Sequence, residues 1–171
     1  MSNIVLIGFM GCGKTSVGNL LAARLGYGFT DTDRFIEDSC NRTIKSIFAK
    51  EGEAYFRDLE TSTIKGFIGK MDQTVLSVGG GLPMKPGNAE LLQQLGQVIF
   101  LKATRATILK RLAGDTTRPL LSGDNPAKKL EDLFTSRAPV YERAAHMEVN
   151  TDGRSFDDII DEIIKRTGVK P

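Results

Sequence analysis

Several absences narrow the reading of this chain before any motif is found. There is no tryptophan, a single histidine and only two cysteines in 171 residues. Cys12 and Cys40 form no metal-binding pattern and no disulfide framework. His146 has no ligand-type residues around it and reads as structural. No apolar run is long enough to span a bilayer, and the N-terminus enters its first apolar run with no charged leader or cleavage site. Neither sign of charge dominates: 23 Lys and Arg face 21 Asp and Glu, for a net charge of +2. No basic stretch is interleaved with aromatics, which removes the usual grounds for expecting nucleic acid. There is no internal repeat and no low-complexity segment. With 40% hydrophobic and 26% charged residues, the composition is that of one globular domain. A cytoplasmic monomer is expected.

Against that plain background, Gly8-Phe9-Met10-Gly11-Cys12-Gly13-Lys14-Thr15 stands out. It matches the phosphate-binding loop pattern of Gly, four residues, then Gly-Lys-Thr. Glycines let the backbone turn successive N–H groups inward as an anion nest. Lys14 adds a full positive charge for the β- and γ-phosphates, and the Thr15 hydroxyl suits magnesium. The flanks agree. Ile4 to Ile7 is a continuous apolar run of the buried parallel-strand kind. Val17, Leu20, Leu21 and Leu25 then recur at helical spacing, and Gly26 sits where a C′ glycine belongs. Strand, glycine loop, helix is the order that aims a helix N-terminus at phosphate.

The rest of the chain alternates. Phe29-Thr30 reads as a short second strand ending in Asp31-Thr32-Asp33. A helix started by Thr43 and stopped by Gly52 carries Ile44, Ile47 and Phe48. A longer helix follows with Tyr55, Phe56, Leu59, Ile64, Phe67 and Ile68 as its apolar side. Val75 to Val78 is a third strand running into Gly79-Gly80-Gly81. Glu90 to Leu95 is a short helix and Val98 to Leu101 a fourth strand. Thr104 caps a helix whose Ile108, Leu109 and Leu112 face the core. Gly114 to Asn125 shows no periodicity and reads as a mobile loop able to close over a site. A helix over about 127–137, a strand at Met147 to Val149 and a last helix from Ser155 burying Phe156, Ile159, Ile160, Ile163 and Ile164 complete the order. Such alternation predicts a parallel sheet covered on both faces, with ligands at the carboxyl ends of its strands.

Three segments therefore converge: the phosphate loop, Asp31 to Asp33, and Gly79 to Gly81. Asp31 and Asp33 alternate, so on a persisting strand they would point to different sides. One could hold magnesium and the other orient a substrate hydroxyl. Asp31 is the metal candidate by default, because the long strand at 75–78 ends in glycines rather than in an aspartate. Three consecutive glycines suit close backbone approach to an acceptor-rich ligand. Arg57, Arg118 and Arg137 suit two-pronged recognition of carboxylate or phosphate, with Arg118 in the closing loop. Cys12 beside Lys14 is either a small tolerated side chain or an activated thiol.

Together these blocks resemble the shikimate kinase family essentially end to end: the phosphate loop, Asp31-Thr32-Asp33, Phe56-Arg57, Gly79-Gly80-Gly81, Arg118-Pro119-Leu120-Leu121 and Arg137-Ala138-Pro139-Val140-Tyr141. The resemblance implies a three-layer α/β/α fold of the nucleoside-monophosphate-kinase type, with a five-stranded parallel sheet in the order 2-3-1-4-5. It implies phosphorylation of the 3-hydroxyl of shikimate by ATP with Mg2+. By position, Asp33 is the base and binds the substrate hydroxyls. Arg57 and Arg137 hold its carboxylate, and Gly79, Gly80 and Gly81 complete the pocket. Lys14 and Arg118 stabilise the transferring phosphoryl group, while Thr15 and Asp31 organise the metal. Gly11, Cys12, Gly13, Lys14, Thr15, Ser16, Arg111, Arg118 and Arg154 contact ATP. A shikimate-binding subdomain spans about 33–60 and a lid about 112–125. The alternatives are another small-molecule kinase of the same fold, acting on gluconate or a nucleoside monophosphate, or a nucleotide-dependent switch without a small acceptor.

Overall fold

In the computed structural model, which describes residues 2–113 and 123–171, each of five strands is followed by one or more of eight helices. They are β1 (Ile4–Ile7), α1 (Lys14–Leu25), β2 (Gly28–Asp31), α2 (Thr32–Cys40), α3 (Ile44–Glu51), α4 (Glu53–Phe67), β3 (Thr74–Ser77), α5 (Asn88–Leu95), β4 (Gln97–Lys102), α6 (Arg105–Leu112), α7 (Pro126–Ala144), β5 (Met147–Asn150) and α8 (Phe156–Thr167). A turn of 3₁₀ helix at Leu82–Met84 follows β3. The sheet order is β2-β3-β1-β4-β5 and every pairing is parallel, as expected.

Alternation along the buried strands divides the core in two. Ile4 and Leu6 of β1, with Val75, Ile99 and Leu101, pack against Val17, Leu21 and Leu25 of α1 and Ile159, Ile160 and Ile163 of α8. Val5 and Ile7 face the other way, joining Leu76, Val98 and Phe100 under Ile64 of α4, Leu92 of α5 and Tyr141 of α7. Each fully buried Leu or Ile in these layers is worth about 1.5–3 kcal/mol of transfer free energy. A third, smaller cluster of Ile36, Ile47 and Phe56 ties α2, α3 and α4 together beside the sheet.

Local signals place the helix ends. Thr43, Thr104 and Ser155 each accept a hydrogen bond from a backbone N–H in the first turn of the helix they open. Gly26 closes α1 at a φ of 70°. His146 is structural: its Nδ1 accepts from Val98 N at 2.9 Å, and its own N–H donates to Val98 O.

The periodicity misplaced some side chains. Leu20, Tyr55, Leu109 and Phe156, all expected on buried faces, are exposed: Leu20 and Tyr55 lie off the faces buried through Val17, Leu21 and Leu25 and through Phe56 and Ile64, Leu109 is one residue past the buried Ile108, and Phe156 is the first residue of its helix. The helix expected over about 127–137 continues through Pro139 to Ala144. The lost backbone hydrogen bond is offset by burial of Tyr141 and Ala144 in the turns beyond the proline. The expected loop from Gly114 to Asn125, with Arg118, lies outside the described residues save for its last three; of these, Asn125 caps α7 by accepting from Lys128 N.

Candidate active site

The phosphate loop joins the buried end of β1 to α1. Gly11 and Gly13 adopt φ of 78° and 94°, conformations that a side chain strongly disfavours. Lys14 folds back over the loop, and its Nζ donates to the carbonyls of Gly8 at 2.7 Å and Phe9 at 3.2 Å. Arg111 donates to the carbonyl of Gly11 at 2.8 Å, so α6 grips the loop from outside. Arg154 is taken up elsewhere: its guanidinium donates to Asn150 O and to Glu162. Cys12 is buried, in contact with the α1–α8 core layer, and burial argues against the activated-thiol reading.

Strand β2 ends at Asp31, which caps α2 by accepting from Arg34 N at 3.1 Å. The strand therefore does not persist to Asp33. That residue sits in the first turn of α2, and strand alternation does not govern where the two aspartates point. Asp31 Oδ2 accepts from the Thr15 hydroxyl at 3.3 Å. No group of three His, Cys, Asp or Glu that could hold a metal occurs among the described residues. One hydroxyl and one carboxylate beside a phosphate nest fit a hard cation that takes its remaining ligands from water and phosphate, the habit of Mg2+.

A second pocket opens beside the phosphate loop. Its walls include Asp33, Phe56, Arg57, Glu60, Gly79 to Gly81 and Arg137. Met10, Asp33, Gly79 and Gly80 also border the space above Lys14 and Thr15, so the two pockets meet there. The three glycines are explained by side chains as much as by backbone. A Cβ on Gly79 would lie 2.7 Å from Asp33 Oδ1 and 3.0 Å from Glu60 Oε2. One on Gly80 would crowd Arg137 and Tyr141, and one on Gly81 would overlap the Arg57 guanidinium. The expectation of inward N–H groups needs revision at Gly79, whose N–H is already donated to Thr32 Oγ1 at 3.0 Å.

Two arginines furnish the pocket's positive charge. Arg57 donates to Glu60 Oε1 at 2.6 Å and to Glu53 at 3.3 Å; burial acts to lower its pKa, but the two carboxylates outweigh that and hold it above the usual arginine range. Arg137 is buried, with its guanidinium 5.9 Å from the Phe9 ring centroid. Tyr141 donates to Gly80 O at 2.6 Å, pinning the glycine loop to α7.

Glu60 escaped the sequence reading. It is fully buried, and its Oε2 has no hydrogen-bond partner. Burial pushes its carboxyl up to about 7 against the opposing pull of Arg57. A signal was present: Phe56, Glu60 and Ile64 are spaced four apart, so a glutamate interrupts the buried stripe of α4.

Residues 10–167 match the family described as shikimate kinase. The shikimate kinase of Symbiobacterium thermophilum is 44% identical over 166 residues, covering 96% of this chain and 95% of that protein. That of Thermodesulfovibrio yellowstonii is 42% identical over 165 residues, covering 96% and 94%. Among solved structures, the shikimate kinase of Acinetobacter baumannii in complex with shikimate is 39% identical with a TM-score of 0.91, covering 97% of this chain and 92% of that one.

Proposed function

The chain belongs to the shikimate kinase family, a family of phosphotransferases, and we propose a division of its reaction among particular side chains. The reaction transfers the γ-phosphoryl group of ATP to the 3-hydroxyl of shikimate. The observation that carries the assignment is the junction of the two pockets, where Asp33 borders both the space above Lys14 and the pocket holding Arg57 and Arg137.

Arg57 and Arg137 bind the shikimate carboxylate, a charge pairing strengthened by exclusion of water. This fixes the ring so that its 3-hydroxyl faces Asp33. As the hydroxyl oxygen bonds to phosphorus and the bond to the β-phosphate oxygen breaks, Asp33 accepts the hydroxyl proton. Lys14 exchanges its contacts with the Gly8 and Phe9 carbonyls for the β- and γ-phosphates. Arg118, outside the described residues, adds the second positive charge on the transferring group. Phosphoryl transfer asks little covalent chemistry of the protein, so position and charge carry the rate. Thr15 and Asp31 would hold Mg2+, which when bound neutralises phosphate charge. Gly11, Cys12, Gly13 and Ser16 contribute to the nucleotide cradle, with Arg111 on its adenine side and Arg154 joining it on release from Asn150 O and Glu162. The segment of about 33–60 carries the acceptor and that of about 112–125 covers it, in a cytoplasmic monomer. No helix among the described residues is long and apolar enough to cross a membrane.

The deciding experiment is ADP release from ATP and magnesium, with and without shikimate. Strong dependence on shikimate that disappears in Asp33→Ala is expected. Turnover without shikimate dependence, or full turnover in that variant, would end this assignment.

A further inference from the structure

With Glu60 ionised, the acceptor pocket of the free protein is balanced in charge. Arg57 and Arg137 oppose Asp33 and Glu60, and no other charged side chain lines this pocket among the described residues. The groups facing Glu60 are Arg57 on its own helix, with Glu53 on the far side of that guanidinium, Asp33 on α2 and Arg137 on α7. Only one oxygen of Glu60 is used. Oε1 accepts from Arg57, whereas Oε2 is buried beside Gly79 without a hydrogen bond.

An anionic acceptor upsets this balance. Its carboxylate draws on the same two arginines that stabilise Glu60, and it brings a third negative charge into a small pocket. A buried carboxylate facing uncompensated negative charge takes a proton rather than remain ionised. We propose that shikimate binds together with a proton, which solvent delivers to the Oε2 of Glu60, so that the occupied pocket is again neutral. This rests on the assignment of shikimate to the Arg57–Arg137 pocket. Glu60 then acts as a positioning residue: ionised, it holds Arg57, and protonated, it yields that guanidinium to the ligand.

With the carboxyl of Glu60 near 7 in the free protein, about half of it is protonated at neutrality. Binding should complete that protonation.

Titration calorimetry of the full chain with shikimate, repeated at pH 7 in phosphate and in Tris, reads the proton count from the difference in buffer ionisation heat. Uptake of about half a proton per shikimate is expected, falling towards zero near pH 5 where Glu60 is already protonated. Above neutrality the Kd should weaken, by up to about tenfold per pH unit for full linkage. Glu60→Gln should abolish the uptake and flatten that pH dependence. Should Glu60→Gln fail to fold, the wild-type series suffices, since a Kd unchanged between pH 6 and 8 overturns the inference. Binding without proton uptake, or uptake that persists in Glu60→Gln, also overturns it while leaving the acceptor assignment intact. Absence of both binding and shikimate-dependent turnover would remove the assignment and this inference together.

Discussion

The two pockets are built on different principles. The phosphate site is mostly backbone: a contiguous stretch at one strand end, shaped by positive-φ glycines, with Lys14 as its one cation among the lining residues. The acceptor site is mostly side chain. It gathers Asp33 from α2, Arg57 and Glu60 from α4 and Arg137 from α7 around a glycine loop that leaves them room. A backbone site recognises what all nucleoside triphosphates share. A side-chain site with two cations against two carboxylates can be tuned to one small anion, and it depends on distant elements staying in register.

The sharpest test of this contrast is Lys14→Met. The nest of N–H groups survives, but the charge that follows the phosphoryl group is gone. We expect kcat to fall by roughly 10³ with little change in the KM for shikimate, measured by steady-state kinetics with each substrate varied. A proportional loss in shikimate KM would mean that the two pockets are not separable.

On the acceptor side, Arg137→Ala removes a buried cation and should weaken shikimate by about 2–4 kcal/mol, or roughly 30- to 1000-fold in KM. The KM for ATP should hold. An unchanged KM for shikimate would take Arg137 out of the clamp. Gly81→Ala asks the same of geometry alone: a methyl there must displace the Arg57 guanidinium. A misplacement of that kind costs up to about a hundredfold, again in shikimate KM and not in ATP KM.

How much of each site the sequence disclosed follows from the same contrast. Strand, loop and helix at residues 4–25 are contiguous, so local pattern suffices for β1, α1 and the nest. Strands and helix starts followed from apolar runs and capping residues such as Thr43, Thr104 and Ser155, whereas the sheet order came only from the family resemblance. The acceptor pocket is non-local. Asp33, Arg57 and Arg137 were found singly, but nothing at the level of spacing states that three glycines each make space for a different side chain. Glu60 was missed because an acidic residue on a helix is ordinarily solvated, and only its place on the Phe56–Ile64 stripe marks it as buried. Leu20 and Phe156 fail in the opposite sense: periodicity assigns a face, while burial requires a neighbour to cover it. The length of α7 was also illegible, because Pro139 ordinarily ends a helix and only the anchorage of Tyr141 carries it onward.

That anchorage supplies the smallest and most local test. Tyr141 donates to Gly80 O at 2.6 Å, and burial raises its hydroxyl well above the ordinary tyrosine range, so it stays a donor at any working pH. Tyr141→Phe keeps the ring against Phe100, at 5.2 Å between centroids, and deletes only the hydrogen bond. The cost should be about 1 kcal/mol, or roughly 2–4 °C in Tm for a chain of this size, followed by thermal unfolding. If α7 holds the glycine loop for the benefit of the acceptor alone, the KM for shikimate should rise by a small factor while that for ATP stays constant. Equal shifts in both would show that Gly80, which borders both pockets, transmits strain from the side-chain site to the backbone site.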